Sequence, residues 1–283
     1  GKTNESIEVV WPICEGVIYN FQLAKLMLKE FLKKVAPTGP FKPKNRVVFT
    51  HPCGLTKEEK DKLRDLAYSL GITTIGFVPA GVCGLIGMEV EENDPNSHMI
   101  VNIGGGVTDI CIVNNNHIIR GATINVGGNQ IDAHIYDYIK EQYQIELGQN
   151  TVETIKNSIG SLLVNDISSI NVVGMEIDTK RRTEIKLFSQ DILPILKGAF
   201  GKIAEACESL ISMCSSEVLK DINQLGLYVC GGVSNITGVD KYLSKLLQLP
   251  VYVDPDAEST VILGLGNLLN NQNFLLELCK NYK

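Results

Sequence analysis

The sequence has no long apolar run, few aromatic residues, no excess of positive charge and no C-x-x-C pair. No stretch approaches the roughly 20 apolar residues that a helix needs to cross a bilayer, and the first residues carry no secretory pattern. A soluble, cytoplasmic protein is therefore expected. Lys and Arg together number 26 against 32 Asp and Glu, a formal net charge of −6. Nucleic-acid binders need a concentrated basic face to neutralise phosphates, so that class is excluded. The densest basic run, Lys180-Arg181-Arg182, has Asp178 and Glu184 beside it and reads as a solvated hairpin turn. The eight cysteines are scattered, mostly within apolar segments, as expected of buried free thiols in a reducing compartment. The four histidines, 51, 98, 117 and 134, are dispersed, and no nucleophile, paired carboxylates or metal cluster stands out. Neither a solenoid-period repeat nor a low-complexity tract occurs.

What remains is an ordinary globular composition, 44% apolar and 20% charged. A chain of this length fills one large α/β unit or two lobes without disulfide staples, and two lobes is the preferred reading. Ile7–Val10 reads as a short strand ending at Pro12, and Asn20 as the cap of a helix whose apolar residues Ala24, Met27, Leu28, Phe31 and Val35 recur at helical spacing. The breaker cluster Ala36-Pro37-Thr38-Gly39-Pro40 ends it. A strand at Arg46–Thr50, a helix opened by the Thr56/Glu59 capping box and stopped by Gly71, and a strand at Ile72–Val78 give a β-α-β order and hence a parallel pair. Met99–Val113 and Ile118–Ile124 read as two strands joined at Asn114-Asn115-Asn116. Helices are expected from Gly127-Gly128, over Thr151–Leu163, from a Ser189 cap through Met213 with Pro194 in its first turns, over Val239–Leu247 and over Glu258–Asn270. Ile170–Val173 and Glu184–Leu187 bracket the charged hairpin turn, and Leu227–Cys230 and Val251–Val253 are further strands.

Two glycine sites carry the functional signal. Gly104-Gly105-Gly106 lies between a buried strand and Thr108-Asp109, and Gly231-Gly232 follows the strand ending at Cys230. Successive glycines let backbone amides close on a phosphate, where a side chain would block the approach. A hairpin corner would use the same residues, so both readings stand at this point.

The order of motifs resembles the bacterial actin-like MreB family, within the superfamily of actin, the heat-shock chaperones and the sugar kinases. That family's second phosphate loop, Asp-Ile-Gly-Gly-Gly-Thr-Thr-Glu, is matched by Asn102-Ile103-Gly104-Gly105-Gly106-Val107-Thr108-Asp109, and its Ile-Gly-Gly-Asp-x-x-Asp by Val126-Gly127-Gly128-Asn129-Gln130-Ile131-Asp132. Its Glu-x-x-Lys helix, which approaches ribose and adenine, is matched by Glu153-Thr154-Ile155-Lys156, and its adenosine motif by Cys230-Gly231-Gly232-Val233. Asp-Gly-Val-Ile is matched by Glu15-Gly16-Val17-Ile18, and Val-Pro-x-Gly-x-Thr by His51-Pro52-Cys53-Gly54-Leu55-Thr56. The resemblance runs nearly end to end. It implies a two-lobed, actin-like α/β fold of ribonuclease H-like type. Residues 1–98 would be a remnant of the first lobe, with the helix 258–283 packing back on it. Residues 99–257 would be the second lobe, with an inserted subdomain at about 129–187. The hairpin that carries the family's first phosphate loop falls before residue 1 of this sequence.

The resemblance further implies a nucleotide site made of Gly104, Gly105, Gly106, Thr108, Glu153, Lys156, Gly231 and Gly232, holding ATP or ADP weakly, and it leaves Mg²⁺ poorly supported. Asn102 stands where the family has the aspartate that organises the magnesium water shell, and an amide cannot compensate divalent charge as a carboxylate does. Val107 replaces a hydroxyl residue that helps position the attacking water. Ala80, within Pro79-Ala80-Gly81, takes the place of the water-polarising carboxylate of Glu-Glu-Pro, with the register fixed by Ile86-Gly87. No catalytic residue is therefore assigned, unless Asp109 or Glu89 substitutes. The family's membrane loop aligns with Thr38 to Lys44, so Pro40 and Phe41, flanked by Lys42 and Lys44, are the expected contact with the inner leaflet. The implied function is a filament-forming or filament-associated cytoskeletal element at the inner membrane face, with itself or an intact paralogue as partner and without ATP hydrolysis. The rivals are an active ATPase filament whose first phosphate hairpin lies outside this sequence, and a nucleotide-independent regulator of an intact paralogue.

Overall fold

The computed structural model describes residues 9–35, 46–92 and 94–281. In chain order its elements are β1 (Ile13–Cys14), β2 (Val17–Ile18), α1 (Phe21–Val35), β3 (Arg46–His51), α2 (Lys57–Tyr68), β4 (Thr74–Pro79) and α3 (Ala80–Gly87). These are followed by β5 (Ser97–Ile103), β6 (Thr108–Asn114), β7 (His117–Ile124), α4 (Gly128–Tyr143), β8 (Ile145–Glu146) and α5 (Gln149–Ile159). The chain continues with β9 (Ser169–Glu176), β10 (Arg182–Phe188), α6 (Ser189–Ser212), α7 (Ser216–Leu225), β11 (Leu227–Cys230), α8 (Val239–Leu247), β12 (Val251–Val253), α9 (Thr260–Asn270) and α10 (Gln272–Asn281). Among the described residues, no helix is long and apolar enough to cross a membrane.

The main sheet runs β12-β11-β5-β6-β7, with β11 parallel to β12 and β5, and β5-β6-β7 antiparallel. Alternation along its strands serves two cores. Val101, Ile103, Ile110 and Ile112 face Ile131, Ile135 and Ile139 of α4 and Phe200 of α6. Ile100, Cys111 and Val113 face Val82 and Cys83 of α3 and Leu265 and Leu268 of α9. A third core forms around Phe77, Leu63, Leu66, Ala24 and Ile18, over the parallel pair β3-β4. α3 and α9 cross at glycines: a side chain at Gly264 would collide with the Cys83 carbonyl, and one at Gly87 with the Thr260 carbonyl. α10 packs on β4, where Gly76 makes room for Cys279.

Several local expectations are met. Asn20 caps α1, its Oδ1 accepting from the Leu23 N–H at 3.1 Å. The Thr56/Glu59 capping box opens α2. The charged turn joins β9 to β10, with the Glu176 carboxylate accepting from the hydroxyls of Thr179 and Thr183. Others are corrected. Val9 and Val10 lie outside any strand; Ile7 and Glu8 are outside the described residues. The run read as one strand, Met99–Val113, is β5 and β6, folded back on each other by the three glycines. Ser189 does not cap α6. The cap is Phe188, whose N–H is held by the Asp191 carboxylate at 2.7 Å, while the Ser189 hydroxyl donates to the Asp166 carbonyl at 2.7 Å. α3 and α7 were not expected at all.

Candidate functional site

A cleft of about 1260 Å³ lies between the β1–β2 turn, the ends of β3 and β4, the glycine loop, and the first turns of α4 and α5. Its floor is the turn between β5 and β6. The Gly104 N–H closes the turn on the Val107 carbonyl at 3.0 Å. The carbonyls of Gly104 and Gly105 accept from the N–H groups of Gly128 and Asn129 at 3.0 and 2.7 Å, and the Gly106 carbonyl accepts from Gln130 Nε2 at 3.0 Å. The first two carbonyls therefore satisfy orphan backbone donors at the start of α4, and the third holds a side chain of its first turn. The N–H groups of Gly105, Gly106 and Val107 have no acceptor among the described residues. A run of unpaired amides in a glycine turn is a concavity for an anion.

The glycines divide by role. A Cβ at Gly105 would meet only Asn129 Oδ1, at 3.7 Å, so this position stays open. At Gly106 a Cβ would stand 3.3 Å from the Glu15 backbone, because the β1–β2 turn rests on the loop. Gly231, with φ of +90°, sits so close to β5 that a Cβ there would come 2.6 Å from Asn102 Oδ1. Its glycine is demanded by backbone conformation and packing.

Of the residues expected to bind nucleotide, Gly104, Gly105, Gly106 and Glu153 line the cleft, while Thr108, Lys156, Gly231 and Gly232 are not among its lining residues. Thr108 is buried and donates to the Val126 carbonyl at 2.6 Å. Lys156 is also buried; its Nζ is 2.9 Å from Asp132 Oδ2 and 3.4 Å from the Gly128 carbonyl, so it ties α5 to α4. Burial pushes the Asp132 carboxyl up, and the Lys156 ammonium pulls it back only in part. Asn102, Val107 and Ala80, which the resemblance aligns with the family's hydrolytic positions, all line the cleft. Asn102 is the cross-strand partner of Asp109, and Ala80 starts α3 where β4 ends. Asp109 cannot turn freely toward a ligand. Its Oδ1 accepts from the Cys53 N–H at 2.9 Å and from the Thr123 hydroxyl at 2.7 Å. Glu89 follows α3 and does not line the cleft. Pro40 and Phe41 are outside the described residues.

Sequence reasoning missed two residues here. His51 is buried on the cleft wall. Its Nδ1 donates to the Pro52 carbonyl at 2.7 Å, which leaves Nε2 bare and without a partner among the described residues. Burial holds its pKa below the ordinary value, so the ring is neutral at pH 7. Asp132 has an equally unpartnered Oδ1. The signal for Asp132 was present in the Gly-Gly-x-x-x-Asp spacing; for His51 there was none, because a buried imidazole looks the same in sequence as an exposed one.

The family model described as MreB/Mbl protein matches residues 1–277. The chain belongs to the MreB/Mbl family. Relatives include the cell shape-determining protein MreB of Pasteurella multocida, 28% identical over 272 residues that cover 95% of this chain and 78% of that protein. The cell shape-determining protein Mbl of Bacillus cereus is 28% identical, over 96% of this chain and 81% of its own length. Among solved structures, MreB 5 of Spiroplasma citri bound to AMPPNP superposes with a TM-score of 0.91 at 30% identity, covering 98% of this chain and 83% of that one. A MamK double helical filament gives a TM-score of 0.76 at 18% identity, a likeness of fold. The actin-like architecture of the MreB family therefore accounts for the sheet, the crossing helices and the cleft.

The cleft fits the phosphates of a nucleotide, since three adjacent amides are free and Gly105 leaves them accessible. For a divalent ion beside the loop, Asn102 offers an amide and Ala80 a methyl, and one oxygen of the Asp109 carboxylate already carries two hydrogen bonds, while Glu15, Asp132, Asp137 and Glu153 line the rest of the cleft.

Proposed function

We propose that this chain is an MreB-like cytoskeletal or scaffolding protein that helps determine cell shape. It assembles end to end, or joins filaments of an intact paralogue, in the cytoplasm at the inner face of the cell membrane. It holds ATP or ADP weakly and does not hydrolyse it. The observation that carries this reading is the convergence of Asn102, Val107 and Ala80 on one cleft whose glycine loop keeps its free amides. Phosphoryl transfer to water is catalysed almost wholly by positioning and charge compensation, and each such group supplies a few kcal/mol, about 3. With three replaced by an amide, an isopropyl and a methyl group, binding and cutting come apart. The relatives' names supply the cell-shape role, and MreB 5 of Spiroplasma citri, solved with AMPPNP and with ADP, supports a nucleotide in the cleft. We read residues 1–98 with the C-terminal helices as one lobe and 99–257 as the other, and the segment around Pro40 and Phe41 as the membrane contact.

One observation favours a second reading, retained hydrolysis. The strand partner of His51 is Pro79, the residue before Ala80, and a small shift of that wall would open the buried, unpartnered Nε2 to a water in the cleft. Sedimentation of the full-length protein with ATP, with ADP and without nucleotide separates the two. Equal pelleting in all three supports the proposal; polymer that forms with ATP and dissolves as phosphate is released overturns it.

A further inference from the structure

Cys53, Asp109 and Cys111 meet beneath the cleft although 56 residues separate the first two. Asp109 and Cys111 lie two apart on β6, so their side chains leave the same face of the sheet. Cys53 arrives from the loop after β3 and settles over Gly121 of β7, where a Cβ would stand 2.7 Å from its sulfur. One donor atom from each of the three residues lies within 4.8 Å of the other two. Cys111 Sγ is 3.5 Å from Asp109 Oδ2. In a tetrahedral site with metal–sulfur bonds of about 2.3 Å and metal–oxygen bonds of about 2.0 Å, the sulfur–oxygen edge is about 3.5 Å, so this edge is already at its bound length.

The carboxylate is also aimed. Oδ1 is fixed by the Cys53 N–H and the Thr123 hydroxyl, while Oδ2 has, among the described residues, only the weak thiol donor of Cys111. Partners of this kind on the non-ligating oxygen are what orients a carboxylate ligand. We propose that Cys53, Asp109 and Cys111 bind a soft divalent transition metal of the zinc class, with a fourth position left to water. Two sulfurs and one oxygen select such an ion over magnesium or calcium. On binding, two metal–sulfur bonds and one metal–oxygen bond form, and each thiol releases its proton to solvent. The ion would pin the loop after β3, and with it the His51 wall of the cleft, to the central sheet.

Cobalt(II) is the probe. Titrating the full-length protein anaerobically, with a phosphine reductant, is expected to give thiolate-to-cobalt charge transfer and tetrahedral d–d bands that saturate at one equivalent. Zinc should bleach them, with one proton released per coordinated thiol. Cys53→Ser and Cys111→Ser should each abolish the signal, Thr123→Val should weaken affinity about 10- to 100-fold, and Cys14→Ser and Cys214→Ser should leave it unchanged. Because a buried variant can misfold, the unmutated protein is also alkylated with and without zinc. Protection confined to Cys53 and Cys111 supports the site. Absence of a stoichiometric thiolate band, a band that survives in folded Cys53→Ser, or protection that falls on Cys14 or Cys214 overturns it.

Discussion

Replacing Lys156 with Met removes one half of an ion pair between α5 and α4 while keeping the length of the side chain. In the wild type the Lys156 side chain is 6% exposed and that of Asp132 20% exposed, with 2.9 Å between Nζ and Oδ2. Breaking a fully buried pair costs about 3–5 kcal/mol, because the surviving charge stays desolvated. Here the survivor borders the cleft and keeps some access to water, which lowers the expected cost of Lys156→Met to about 2–3 kcal/mol. Asp132→Leu leaves the more deeply buried ammonium with the Gly128 carbonyl at 3.4 Å as its main remaining partner, and should cost more. Removing both charges, as Asp132→Leu with Lys156→Met, should be less destabilising than either single change, so the coupling should exceed the larger single cost, about 3 kcal/mol or more. Urea unfolding read as a midpoint shift at constant slope measures all three. If Lys156→Met left stability within about 0.5 kcal/mol of wild type while abolishing nucleotide binding, Lys156 would be a ligand contact, and its reading as a structural tie would be wrong.

The remaining predictions concern a titrating wall residue and a helix crossing. The His51 pKa is held below 6.5 by burial, so the folded state takes up its proton later than the unfolded chain does. Its contribution is intact above pH 6.5 and is lost as pH falls toward the folded value. His51→Gln should therefore flatten the stability profile on the acid side, measured as melting temperature against pH, and a profile of unchanged slope would contradict this. Gly264→Ala should cost at least about 3 kcal/mol, because its methyl would enter the Cys83 carbonyl across the α3–α9 crossing. Gly266→Ala, two residues on with nothing within 4 Å, should instead stabilise by about 0.5–1 kcal/mol. Equal effects from the two substitutions would show that the crossing is not close-packed.

Much of the architecture was legible because local signals agreed with one another. The Asn20 cap, the Thr56/Glu59 box and the β-α-β order each specified an element that formed. Where they failed, the reason is physical. α3 is apolar on every side, and a helix without a polar face has no period to detect. The β5–β6 hairpin was hidden because apolar residues continue on both sides of Gly104–Gly106, and only pairing across the sheet reveals the reversal. α7 is bounded by a Ser215 cap and a Gly226 stop, signals as local as those at α2. At the site, the order of motifs picked out the glycine loop and the three positions Asn102, Val107 and Ala80 that the fold brings to the same cleft, but motif spacing could not show that Lys156 is spent on Asp132, or that Cys53 falls beside Cys111. Such facts depend on which side chains meet, which is decided by the fold.

The most direct test of the central claim is the identity of the nucleotide recovered from the protein. Full-length protein is incubated with ATP and magnesium, the bound and free nucleotides are separated by chromatography, and diphosphate is counted against a buffer control. A cleft with free loop amides but with Asn102, Val107 and Ala80 around them should return the triphosphate intact, with diphosphate at the control level. Diphosphate that accumulates over many turnovers, and fails to do so in the Gly105→Val protein, would contradict it.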